Sequence, residues 1–106
     1  MSTILPPAEA LAPAPSAHLP RLAEIIAERA NIAAEQIRPA MDLFDLGVEG
    51  IELAAVVTDM QATWGVAISD HEADRVVEVR DLLRLLDQKG AQVIPPLAAR
   101  IDEVTP

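Results

Sequence analysis

The sequence predicts a small all-α bundle of four helices, with one long loop between the first two. Three observations predict it. Apolar residues recur at three- and four-residue spacings in separate stretches, which is the period of a helix with one buried face. No stretch alternates apolar and polar residues as a half-buried strand does. Recognisable helix stops and starts stand between the periodic stretches. Aromatic residues make up only 2%, Phe44 and Trp64, so the core must be built from Ala, Leu, Ile and Val.

In the first helix, α1 (about 20–30), Leu22, Ile25, Ile26 and Ala30 share a face, and Asn31 supplies a left-handed stop. A looser stretch follows, whose apolar residues (Ile32, Ile37, Met41, Leu43, Phe44) can lay a long loop against the bundle. Leu53, Val56, Val57, Met60 and Trp64 then form the stripe of α2 (about 49–64), ended by Gly65. Ser69-Asp70-His71-Glu72 is a capping box that opens the short α3, running through Val77. Leu82, Leu83 and Leu86 mark the buried face of α4 (about 80–89), with Lys89 and Gly90 as its end signals.

The chain of 106 residues has room for one core. Residues 1–18 are rich in Pro and Ala and read as a flexible tail; 19–90 form the bundle; 91–106, with Pro95-Pro96, read as a partly flexible extension. Leu97–Glu103 has the composition for a further helical turn or two. The N-terminus lacks a basic segment followed by an apolar one, and no stretch is long and apolar enough to span a membrane. The absence of cysteine excludes disulfides and thiolate chemistry and fits a reducing compartment; the expected state is a cytoplasmic monomer.

The net charge of −9 is local. Residues up to Arg38 carry a balance of −1, and those from Arg75 onward a balance of 0. Between them Asp42, Asp45, Glu49, Glu52, Asp59, Asp70, Glu72 and Asp74 carry −8 with no Lys or Arg. Such a stretch is either a solvated face or a docking surface for a basic partner. It disfavours nucleic acid and anionic lipid, which are bound through positive charge.

Little else suggests chemistry. His71 stands near Asp70 and Asp74, but no second histidine accompanies it, so no metal site is expected. His18 is expected to be solvated beside the tail, and Trp64 to anchor the core with its indole N–H reaching solvent or a loop carbonyl. No nucleophile–base pair or glycine-rich phosphate loop appears, and an enzyme is not expected.

The series Ile25-Ile26-Ala27-Glu28, Ile37-Arg38-Pro39, Leu43-Phe44-Asp45-Leu46-Gly47, Leu53-Ala54-Ala55-Val56-Val57 and Trp64-Gly65-Val66-Ala67-Ile68-Ser69-Asp70 resembles the acyl carrier protein family. The resemblance runs from about Leu22 to Leu86. It implies a four-helix bundle with an acidic second helix as its recognition surface. It also implies an acyl, aminoacyl or peptidyl cargo held as a thioester on 4′-phosphopantetheine. Its partners would be biosynthetic enzymes (synthase, ligase or transferase) with basic surfaces.

One departure falls at the attachment point. The family attaches its arm to the serine of an Asp-Ser-Leu triplet, and this chain has Glu49-Gly50-Ile51. Gly50 has no side-chain oxygen, so no phosphopantetheine is expected there unless the residue were serine. The only serines are Ser2, Ser16 and Ser69, and Ser69 is spent on its cap; Thr58 and Thr63 lie within or near the end of α2. All three triplet residues differ conservatively, which reads as divergence rather than a single inactivating change. The expected function is docking without a cargo, with Glu49, Glu52 and Asp59 pairing with basic residues of a partner and Val48 and Ile51 adding apolar contact. Two alternatives are an ordinary carrier in a serine-less variant and an unrelated acidic helical adaptor.

Overall fold

A computed structural model describes residues 15–98 of the chain. Its elements are a 3-10 turn at Pro15–His18, α1 at Leu19–Ala27, a second 3-10 turn at Ala34–Gln36, α2 at Ile51–Trp64, α3 at Asp70–Asp74 and α4 at Val79–Gln88. The four expected α-helices are present in order, and no strand occurs among the described residues beyond one isolated bridge, Asp42 with Glu78. The apolar faces of α1, α2 and α4 meet in one core that includes Leu22, Ile26, Val56, Met60, Leu82 and Leu86.

The helix ends explain most differences from expectation. Pro20 lies in the first turn of α1, where a missing N–H leaves no bond unmade. The helix stops at Ala27, and the next turn tightens as Arg29 N–H and Ala30 N–H both donate to the Ile26 carbonyl, each at 2.9 Å. Asn31 does not supply the left-handed stop, because no described residue other than glycine has a positive φ. At the end of α4 the expected signal operates. Gly90 (φ +69°) lets Ala91 N–H reach the Leu86 carbonyl (3.0 Å) and its own N–H reach that of Asp87 (3.1 Å), a Schellman closure.

The capping box of α3 forms, with Glu72 N–H donating to Ser69 Oγ (3.1 Å) and Ser69 N–H donating to Glu72 Oε1 (2.9 Å). The helix ends at Asp74 rather than Val77, because the following backbone is used elsewhere. Leu43 N–H donates to the Val77 carbonyl (2.9 Å), and the N–H groups of Val77 and Glu78 both donate to Asp81 Oδ2. Val79 N–H reaches the Met41 carbonyl (3.0 Å) and Arg80 N–H that of Pro39 (2.8 Å). These bonds stitch the long loop to the start of α4.

Two links join segments far apart in sequence. Lys89, at the end of α4, donates to both oxygens of Glu72 at 2.9 and 2.8 Å, and holds α3 in place. That ammonium, with the Ser69 N–H, holds the Glu72 carboxyl below its usual range. Glu24 on α1 accepts Leu97 N–H (2.8 Å) and Ala98 N–H (3.1 Å), so the chain after Gly90 returns to α1.

Most of the expected N-terminal tail lies outside the described residues. Its last four, Pro15–His18, form the first 3-10 turn and pack against α4. His18 is not solvated: it is 2% exposed and meets the Trp64 ring edge-on, with centroids 6.0 Å apart. Nor does the Trp64 indole N–H find the expected acceptor; neither it nor His18 Nδ1 has a hydrogen-bond partner among the described residues. Burial lowers the His18 pKa from about 6.5, against a weaker upward pull from Asp87. Protons therefore bind the unfolded chain more readily as pH falls below about 6.5, and stability falls with them until folded His18 itself titrates. Thermal melts followed by Trp64 fluorescence should show a lower Tm at pH 5.5 than at pH 7. His18→Phe should flatten that dependence, and an unchanged slope would show that His18 is not its source.

Candidate functional site

The site begins with the turn that delivers the chain to α2. Asp42 Oδ1 accepts Phe44 N–H (2.8 Å), Gly47 N–H donates to the Phe44 carbonyl (3.0 Å), and Val48 N–H donates to that of Leu43 (2.9 Å). This knot drives the Val48 side chain inward, to 1% exposure among the core residues. Val48 therefore cannot touch a partner as expected. Ile51, one helical turn-start later, is 85% exposed. Phe44, expected to help lay the long loop against the bundle, is instead 65% exposed, and Val77, 56% exposed, is a second apolar neighbour. Both lie in the lining of a groove that also includes Gly50.

Gly50 caps the N-terminus of α2 with φ +56° and ψ −122°. Glu52 N–H donates to the Glu49 carbonyl across it at 3.0 Å, closing a turn of the II′ kind with glycine first. A residue with a Cβ rarely adopts this conformation, although nothing lies within 4 Å of where a Cβ would stand. The constraint is thus in the backbone and not in the space around it. Ala54 N–H then donates to the Gly50 carbonyl (3.0 Å), the first bond of the helix.

The acidic residues divide into engaged and free. Glu72 is bound by Lys89, Asp42 by the Phe44 N–H, and Glu52 lies 3.8 Å from Arg29, with both side chains partly exposed. Asp45, Glu49, Asp59, Asp70 and Asp74 make no side-chain bond or ion pair among the described residues. Glu49 and Asp59 are thus available to a partner, while Glu52 must first leave Arg29. At about 40% side-chain exposure that pair stabilises the fold little, so leaving it costs little.

The all-α fold agrees with what the comparisons show. A family model described as "Phosphopantetheine attachment site" matches residues 20–86, more than half of the chain. The chain belongs to this family. Among its curated relatives, the acyl carrier protein of Solidesulfovibrio magneticus is 29% identical over 73 residues, covering 68% of this chain and 94% of the relative. That of Nitratidesulfovibrio vulgaris (strain Miyazaki F) is 26% identical over 70 residues, covering 65% and 92%. The crystal structure of an acyl carrier protein from Thermotoga maritima superposes with a TM-score of 0.57 at 22% identity, over 64% of this chain and 80% of that one. At that identity the superposition speaks for the fold. This acyl-carrier-like chain has, among its described residues, no helix long and apolar enough to cross a membrane.

Proposed function

We propose that this member of the acyl carrier protein family docks on a biosynthetic enzyme through the acidic surface around α2 and carries no arm at position 50. Family members are carriers rather than enzymes, and carriers work by being recognised. The observation that carries the reading is Gly50 itself, which starts α2 amid the acidic stretch with a hydrogen for a side chain. The phosphodiester to 4′-phosphopantetheine needs a side-chain oxygen, and the residue offers none. The group therefore does not fit here. Ser69 Oγ accepts the Glu72 N–H and lies 3.3 Å from Glu72 Oε1, engaged in its cap.

The partner face pairs Glu49, Asp59 and, once released from Arg29, Glu52 with Lys or Arg, while Ile51 and Phe44 supply apolar contact. Screening acts over about 8 Å at physiological ionic strength, so association through this face falls with salt. The test is the pair Glu52→Lys and Asp59→Lys, with binding to enzymes encoded beside this chain followed by interferometry at low and high salt. Each reversal should weaken binding, mainly through kon, and both together should remove its salt dependence. Unchanged affinity in the double variant would discard the acidic face as the docking surface.

A further inference from the structure

Among the described residues, His18 is the one polar side chain that is fully buried. It ends the Pro15–His18 turn, which packs against α4 and α1. Its ring meets that of Trp64, at the end of α2, with the two planes 88° apart. Neither His18 Nδ1 nor Trp64 Nε1 has a hydrogen-bond partner among the described residues, and unpaired buried polar atoms oppose the seating of the turn. The helix that follows does not depend on this seat. α1 receives no side-chain cap from His18, and Pro20 already stands in its first turn. Its buried residues Leu22, Ala23, Ile25 and Ile26 lie further along. The turn can thus leave without unwinding α1, because segments at the edge of a fold open at far smaller cost than its core.

We propose that His18 is a pH-operated latch. Neutral, it fastens the Pro15–His18 turn against α4 and Trp64; protonated, it releases the turn and uncovers Trp64 while the four helices stay folded. The latch is independent of the docking reading above. The charges around the ring are few. Its own turn, Pro-Ser-Ala-His, brings no other titratable side chain. On α4, Asp87 favours the protonated ring, whereas Arg84 is paired with Asp81 and Lys89 with Glu72. On α1, Arg21 and Glu24 are paired with each other at 3.2 Å, and α2 meets the ring with the uncharged Trp64. Burial outweighs the pull of Asp87, so the seated ring favours its neutral form. Released, the ring takes up a proton at about pH 6.5, the ordinary value for histidine; seated, it does so only at lower pH. The seated form is therefore favoured above about pH 6.5 and loses ground as pH falls below it.

Trp64 is the only tryptophan, so acrylamide quenching of the full-length protein's fluorescence reads its exposure directly. The quenching constant should rise at least about twofold from pH 7.5 to pH 5.5, as the released form becomes the major one. Far-UV circular dichroism over the same range should stay at the parental helix signal. His18→Phe keeps an aromatic ring without a titrating group and should give the same low constant at both pH values. Asp87→Asn, at an exposed position, tests the latch without altering the buried ring. It removes the charge that favours the seated, protonated ring, so the rise should move to higher pH. A parental constant that does not change with pH, or an equal rise in His18→Phe, would overturn the latch. So would a rise in Asp87→Asn at the parental or a lower pH. Helix loss in step with the quenching would also overturn it, because the whole bundle would then be unfolding rather than the turn alone.

Discussion

Val48→Asp should lower the urea midpoint sharply, whereas Ile51→Asp should fold as the parent does. The two positions are three residues apart and both aliphatic, but Val48 is 1% exposed and Ile51 is 85% exposed. A carboxylate at 48 would be buried with no cation beside it, and an uncompensated buried charge costs about 3–5 kcal/mol. A domain of this size has a total stability of about 5–10 kcal/mol, so that loss is a large fraction of it. At 51 the change lies on the surface and should stay within about 0.5 kcal/mol. Far-UV circular dichroism and urea titration of both variants decide the matter. A Val48→Asp protein with the parental midpoint would mean that the turn at Asp42–Gly47 does not direct this side chain inward.

The second large effect is at Gly50, and it depends on chirality. With φ +56° and ψ −122°, an L-residue is strained even though the space is open. Gly50→Ser should therefore cost about 1–3 kcal/mol, read as a lower urea midpoint with an unchanged m-value. A D-alanine introduced at the same position by chemical ligation fits the backbone without strain. It should stabilise the fold by about 0.4–1 kcal/mol, through a less flexible unfolded chain. Equal midpoints for L-serine and glycine would show that the turn relaxes freely and that the glycine is incidental to it. The strain also means that restoring an oxygen at this position disturbs the start of α2, so serine alone is not a silent repair.

How much of this was legible in the residues depends on the range of the interactions. The helices were legible because three- and four-residue spacing is a local signal, and so were the Ser69–Glu72 box and the Gly90 closure, which are complete within six residues. What was missed is long-range. His18 follows a Pro/Ala-rich stretch, and nothing nearby shows that it will be covered by α4 and Trp64. Lys89 finds Glu72 from 17 positions away, and Leu97 finds Glu24 from 73. Val48 and Ile51 look alike in a hydropathy pattern, and only the loop's bonds to Val77 and Leu43 decide which one turns inward. The site was legible as a charge map with a glycine at its centre. Which acids are already engaged, and the backbone angle that favours glycine, were not.

As proposed above, this chain has the family's fold and docks through the acidic surface around α2 without a cargo attachment at position 50. The most direct measurement is the intact mass of the full-length protein after incubation with a promiscuous phosphopantetheinyl transferase and coenzyme A. An acyl carrier protein treated in parallel serves as the positive control. The mass of this chain should be unchanged beside complete modification of the control. A mass increase equal to one 4′-phosphopantetheine would contradict it, and peptide mapping would then show whether Thr58 or another hydroxyl carries the arm.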